Sequence, residues 1–312
     1  MSSERPTSHH VPRDGDPAND LVRLHEVETR LKHEFVGNDA LVDVMLTGAI
    51  ALEPLLILGP PGTAKSNVVR RFAELCAGSS LFSYMLTRFT EPEELFGPVD
   101  LRTLQYIRGR DSSLEAADIV FLDEVFKGSS SVLNALLSLL DGSHQAFVIG
   151  SAHGLPDDSS LRTFADRFVL RFVSQNVPSQ QLDDFMRIAW QAERHDLRHG
   201  PGLADSRNIV AAGGLLRLHR AIQEVSLDEA IKFIIDIVTR IRGIGIHVSD
   251  RRVSRIAKLV AASAVRRGAA IADRSDCWIC RYVWNDAHEI ESLGALIDGF
   301  ISDAGTPVPE KS

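Results

Sequence analysis

Lys65 and Ser66 close a loop of mostly small residues, Gly59-Pro60-Pro61-Gly62-Thr63-Ala64, that leaves the apolar run Leu55-Leu56-Ile57-Leu58. Beyond them Val68, Val69, Phe72, Leu75 and Cys76 recur at the spacing of a helix's buried stripe. A strand, such a loop, Lys-Ser and a helix are what a phosphate cradle needs, in that order. Backbone N–H groups of the loop and helix start would face the phosphates, where the helix dipole also favours anions. Lys65 would set its ammonium against the β- and γ-phosphates, and the Ser66 hydroxyl would ligate Mg2+. The nucleotide-binding candidates are therefore Gly59, Pro60, Pro61, Gly62, Thr63, Ala64, Lys65 and Ser66. The general pattern has glycine where this chain has Ala64; the loop keeps its form with alanine provided that position stays off positive φ.

A second element completes the chemistry. Asp118-Ile119-Val120-Phe121-Leu122-Asp123-Glu124 reads as a buried strand ending in two carboxylates. Alone, such a pair is more often a solvated turn; with the loop upstream it supplies the rest of a Mg–nucleotide site. Asp123 would hold the metal together with Ser66, and Glu124 would orient and polarise an attacking water. The expected ligands are ATP and Mg2+, and the expected reaction is ATP hydrolysis.

Elements of matching pattern stand ready to position these groups. Five strand-length apolar runs, 55–58, 81–86, 119–122, 146–149 and 168–172, alternate with helical patterns, which predicts a parallel sheet covered on both faces. After Pro178 the periodicity becomes helical, with segments expected at 180–193, 213–225, 227–242, 250–267 and 276–301. Ser226 and Glu229 form a capping-box pattern, Ser249 is a candidate N-cap, and Gly243 and Gly268 stand at expected helix ends. Residues 195–205 read as a linker. The division expected is a disordered tail over 1–19, an α/β nucleotide-binding core over 20–178, a helical lid over 179–302 and a tail over 303–312.

Composition narrows the function further. Lys plus Arg is 34 against 42 Asp plus Glu, a net charge of −8, which disfavours a nucleic-acid-coating protein. Aromatic residues are 6% and most are Phe, so stacking platforms for single strands are not expected either. No apolar run reaches the length of a membrane span, and three cysteines do not make a disulfide framework. The expected location is the cytoplasm.

Four stretches go beyond a generic phosphate loop: GPPGTAKS at 59–66, LTRFTEPEELFGP at 86–98, IVFLDEVFKGSSSVLNALLSLL at 119–140 and VSDRRVSRIAKLVAASAVRRG at 248–268. They resemble the MoxR branch of AAA+ ATPases, and within it the RavA-like proteins, over about residues 21–300. The resemblance implies a P-loop NTPase fold: a five-stranded parallel sheet of order 5-1-4-3-2 with helices on both faces, followed by an all-helical lid domain. It implies a homo-oligomeric ring, hexameric in the family, that remodels or assembles a partner protein, frequently one with a von Willebrand factor type A domain. Residue by residue, it places Val36 and Gly37 at the adenine pocket, and Arg167 as the arginine finger reaching a neighbour's γ-phosphate. Arg251 falls at the lid arginine known as sensor 2, with Arg252 as its adjacent competitor. His153 stands at the strand end where relatives commonly carry a γ-phosphate-sensing Asn, which makes it a catalytic candidate beside Glu124 and Arg167. Only residues 141–145 connect the helix ending near Leu140 to that strand, where relatives carry a hairpin insertion, and 103–116 is short for the helix insertion of this clade.

Other signals are read as structural. Cys277 and Cys280 fit core packing better than a redox pair, and His195 with His199 has Asp196 where a zinc site would carry Glu, with Gly200-Pro201 expected to break any helix there. The leading reading is an ATP-hydrolysing assembly or remodelling factor; the alternative is a nucleotide-gated scaffold or sensor with vestigial hydrolysis.

Overall fold

The computed structural model describes residues 15–76, 80–97, 99–100, 105–106, 114–142, 145–199, 209–211 and 213–302. Strands β1 (Leu55–Leu58), β2 (Leu81–Met85), β5 (Ile119–Asp123), β6 (Phe147–Ala152) and β7 (Leu170–Val173) form one sheet in the order β2-β5-β6-β1-β7, every pair parallel. Counted among themselves these strands run 5-1-4-3-2, as expected. The inner strands explain themselves: β1 and β6 are buried at every residue and β5 at all but Asp123, because a parallel sheet covered by helices leaves no wet face. Edge strand β2 alternates toward solvent. Between β2 and β5 stand the short helix α4 (Pro92–Phe96), started by Pro92 and a Glu91–Glu94 capping box, and a two-residue hairpin of β3 (Val99–Asp100) with β4 (Gln105–Tyr106).

Helices α1 (Pro17–Glu34), α2 (Asp39–Ala51), α3 (Lys65–Leu75), α5 (Ser130–Leu140) and α6 (Ser159–Ala165) accompany the sheet. The helical part comprises α7 (Leu182–His199), α8 (Gly214–Ala221), α9 (Asp228–Gly243), α10 (Asp250–Arg266), a 3-10 helix over Arg274–Tyr282 and α11 (Ile290–Ser302). α8 and α10 pack on α2, so lid and sheet layers share one apolar cluster. Helix α7 is exposed at most of its described residues, with Trp190 at 58% exposure. Among the described residues no helix is long and apolar enough to cross a membrane.

Several expectations need correction. The stretch expected as a tail to residue 19 already enters α1 at Pro17: Asp16 caps it by accepting from the Ala18 N–H, Pro17 fits the first turn, and buried Asp20 is held by Arg217 at 2.6 Å. Residues 1–14 and 303–312 lie outside the described residues. Ser226 does not form the expected capping box with Glu229: its backbone is drawn into a bridge with Ile271, Leu227 takes the N-cap position, and the Ser226 hydroxyl accepts from the Asp228 N–H at 3.4 Å. α9 runs through Gly243, and Gly245 takes the positive φ, whereas Gly268 ends α10 at +75° as expected. The single helix expected over 276–301 breaks after Tyr282, because the carbonyls of Val283, Trp284 and Asn285 turn to two buried arginines, Arg252 and Arg171. α7 continues to His199, past the start of the expected linker, of which 200–205 lie outside the described residues.

Candidate nucleotide site

β1 delivers its chain end into a loop that only glycine can open. A Cβ on Gly59 would lie 2.4 Å from the Ser174 carbonyl, and Gly59 holds φ at +149°. Gly62, at +87°, has open space around it, and Pro60 and Pro61 are exposed, so the rim is free of side-chain cover. Inside the loop the Thr63 hydroxyl donates to the Pro60 carbonyl at 3.0 Å. Ala64 sits at φ +59°, in the left-handed region, against the condition the sequence reading set for it. A β-carbon there costs roughly 1–2 kcal/mol, which the surrounding loop and the start of α3 must offset. Lys65, the first residue of α3, donates to the Gly59 and Pro60 carbonyls at 2.7 Å each. Burial pushes its ammonium below the usual lysine range, opposed by the charges of Asp123 and Glu124.

The carboxylates meet this loop across the strand ends. Asp123 closes β5; its Oδ2 lies 3.4 Å from the Ser66 hydroxyl, and its Oδ1 accepts from Ser151. Ser151, wholly buried on β6, escaped the sequence reading, although a hydroxyl in the run Phe147–Ala152 was a visible signal. Glu124 stands in the left-handed region at φ +54°. Its Oε1 is 3.0 Å from His153 Nε2 and its Oε2 is 3.3 Å from Lys127 Nζ. His153 therefore comes off β6 onto the carboxylate beside it. Val36 and Gly37 join the same end: a Cβ on Gly37 would meet Gln181 at 3.1 Å and Pro178 at 3.3 Å, in the segment that leaves β7 past Ser174. The Ser174 hydroxyl in turn donates to the Thr63 carbonyl at 3.3 Å.

The Ser66 hydroxyl and Asp123 carboxylate, facing each other above open loop backbone, fit a Mg–phosphate group: hard oxygen donors, loop N–H groups and one lysine.

Arg167 and Arg251 are not brought to this end. In a parallel sheet all strand starts share one edge, and a five-residue strand separates the edges by roughly 16 Å. Arg167 lies three residues before Leu170, the first residue of β7, and Asp141, its ion-pair partner, caps α5 ahead of β6, so both lie at the start edge. Arg251, the second residue of α10, pairs with the same Asp141. Two further cations of α10 dock beside it: Arg255 and Lys258 reach Glu53 Oε1 at 2.8 and 2.9 Å, and Glu53 is wholly buried. Arg252 is different. It is 1% exposed, donates to the Val283 carbonyl at 2.9 Å and lies 2.9 Å from Asp166, so it ties the lid to the end of α6. Arg171, buried next to it, is pushed down to about 9 by burial and by the Arg252 charge.

Comparison with known proteins matches both parts of the chain. A family model described as the MoxR domain in the MoxR-vWA-beta-propeller ternary systems matches residues 22–210, and one described as an AAA lid domain matches residues 229–297. The chain is 30% identical over 294 residues to an uncharacterized protein of Methanocaldococcus jannaschii, covering 89% of this chain and 74% of that one. It is 24% identical over 238 residues to the chaperone MoxR1 of Mycobacterium tuberculosis, covering 72% and 60%. The crystal structure of a candidate ATPase from Cytophaga hutchinsonii overlays with a TM-score of 0.68 at 16% identity, covering 92% of this chain and 95% of that one, which is a likeness of fold.

Proposed function

The chain belongs to the MoxR family of AAA+ ATPases, and from that premise we propose that it hydrolyses ATP as a ring of identical copies, hexameric and cytoplasmic, acting as a chaperone-like remodelling or assembly factor. The observation that carries this reading is the split of the machinery between the two edges of one sheet. Lys65, Ser66, Asp123, Glu124 and His153 share the strand-end edge, whereas Arg167 lies at the opposite edge. A guanidinium roughly a strand's length from its own phosphate loop serves a nucleotide only by reaching that of a neighbouring copy.

Each residue then has a task. Lys65 leaves the loop carbonyls to meet the β- and γ-phosphates, Ser66 and Asp123 hold Mg2+, and Val36 and Gly37 line the base pocket. Bound Mg2+ would neutralise charge on the phosphates. Glu124 orients water, and His153 holds its carboxylate and faces the γ-phosphate. The partner we propose is a protein with a von Willebrand factor type A domain, in line with the systems for which the matching family model is described.

A second reading has one observation in its favour. Both oxygens of Glu124 are engaged, by His153 and Lys127, which suits a nucleotide-gated scaffold in which hydrolysis is suppressed. Steady-state ATPase rate against protein concentration decides between them. A rate that rises more than linearly, and that Glu124→Gln abolishes while ATP binding survives, supports the ring ATPase; negligible turnover at every concentration, with ATP-dependent assembly intact, supports the scaffold.

A further inference from the structure

Arg167 arrives from the turn before β7 and Arg251 from the first turn of α10, on the lid, yet both end on one side chain, Asp141. Asp141 caps α5, where its backbone N–H donates to the Leu137 carbonyl, so its carboxylate is anchored to the core. Arg255 adds a lid contact, donating to the Asp141 backbone carbonyl at 3.3 Å. Two guanidiniums held this close would repel; the carboxylate between them offsets the repulsion and sets their separation. Arg167 spends only Nη1 on it and Arg251 only Nη2, which leaves each guanidinium further donors. The side chains of Arg167, Arg251 and Asp141 are 22%, 39% and 39% exposed, so the cluster, of net charge +1, stays open to a neighbouring molecule.

We propose that Asp141 is a positioning residue that holds Arg167 and Arg251 as one two-pronged clamp for the phosphates of ATP bound by an adjacent copy of this chain. The proposal rests on the reading that Arg167 acts across the interface. An unrestrained arginine samples many rotamers, and a guanidinium displaced by about 1 Å can cost on the order of a hundredfold in rate. Asp141 removes that freedom. Because Arg251 rides on α10, the clamp is whole only with the lid seated on the core, which couples lid position to hydrolysis in the next subunit.

Mixed assemblies test it, with co-assembly verified by native mass spectrometry. Arg167→Ala acceptors keep their own phosphate loop but supply no finger; Lys65→Ala donors supply the clamp but bind no nucleotide, so mixing them should restore turnover. Donors carrying both Lys65→Ala and Asp141→Asn should restore at least tenfold less, and Lys65→Ala with Asp141→Glu an intermediate rate. Asp141→Asn alone should lower kcat tenfold or more while KM for ATP, and the affinity of its own loop for a fluorescent ATP analogue, stay within twofold. A misfolded variant would lose both. Donation by the Asp141→Asn donor equal to or above that of the Lys65→Ala donor overturns the role of Asp141 and leaves the reading of Arg167 standing. Failure of the Lys65→Ala donors themselves, in verified mixed assemblies, overturns that reading and this proposal with it.

Discussion

Ala64 and Ser151 are single side chains whose effects can be separated from the rest of the site. Ala64 carries its methyl at φ +59°, so Ala64→Gly removes a penalty of roughly 1–2 kcal/mol and adds back about 0.5–1 kcal/mol of unfolded-state entropy. The expected outcome is a net gain of about 0.5–1 kcal/mol in urea unfolding; a loss would mean that the loop holds right-handed backbone at that position. Ser151 donates to Asp123 Oδ1, whereas the Ser66 hydroxyl faces Oδ2. Residues that orient a metal-holding carboxylate typically change metal affinity by about 10–100-fold when removed. Ser151→Ala should therefore raise the Mg2+ concentration for half-maximal ATPase by about tenfold while Ser151→Thr stays near the parent; identical Mg2+ titrations for all three would detach Ser151 from the metal site.

Among the elements, α10 carries the junction between sheet and lid, and its adjacent arginines do unlike work. Arg252, buried against the Val283 carbonyl and beside Asp166, leaves that carbonyl and that carboxylate without it when it is removed, whereas the Trp284 carbonyl keeps Arg171. Arg252→Ala should cost about 3 kcal/mol in urea unfolding, within the range for breaking a buried charge network. Arg251→Ala, at an open position, should stay within about 1 kcal/mol of the parent. Comparable losses for the two would erase the distinction. Helix α1 is held to α3 by Glu34, which Arg71 Nε meets at 2.7 Å. Burial would raise the Glu34 carboxyl, but Arg71 and Arg30 outweigh it and hold it below the ordinary glutamate value. A depressed carboxyl contributes stability that is whole above the unfolded value of about 4.3 and is lost as pH falls through the folded one. The stability gap between the parent and Glu34→Gln should thus be constant from pH 6 to 8 and shrink below about pH 4. A gap unchanged at pH 3 would remove Glu34 from the acid response.

For the whole molecule the decisive feature is that the phosphate loop and Arg167, the residue proposed as arginine finger, occupy opposite edges of one sheet. Arg167→Ala should bind ATP as the parent does yet turn it over about a thousandfold more slowly, the lower end of what such fingers contribute. If it binds poorly instead, Arg167 belongs to the packing of α6 and β7. The open apolar residues of α7, Leu182, Phe185, Met186, Trp190 and Leu197, are the largest exposed hydrophobic group on one described helix and set it apart from the rest of the lid.

Much of this was legible in the residues. The strand runs, their order through the resemblance, and the Lys65, Ser66, Asp123 and Glu124 set follow from local rules: a buried parallel strand must be apolar throughout, and a phosphate loop needs its small residues and its lysine at fixed spacing. Ser249 and Gly268 likewise mark the ends of α10 because capping is a contact between near neighbours in the chain. Contacts between distant segments were out of reach. Ser226 reads as a cap until Ile271 claims its backbone, and 276–301 reads as one helix until Arg171 and Arg252 draw three carbonyls out of it. Nothing local distinguishes Arg251 from Arg252; the packing buries one against Asp166 and leaves the other with Arg167 on Asp141. Sequence spacing governs what neighbours along the chain can do, whereas the partner of a long charged side chain is settled by which segments the closed core brings within its reach.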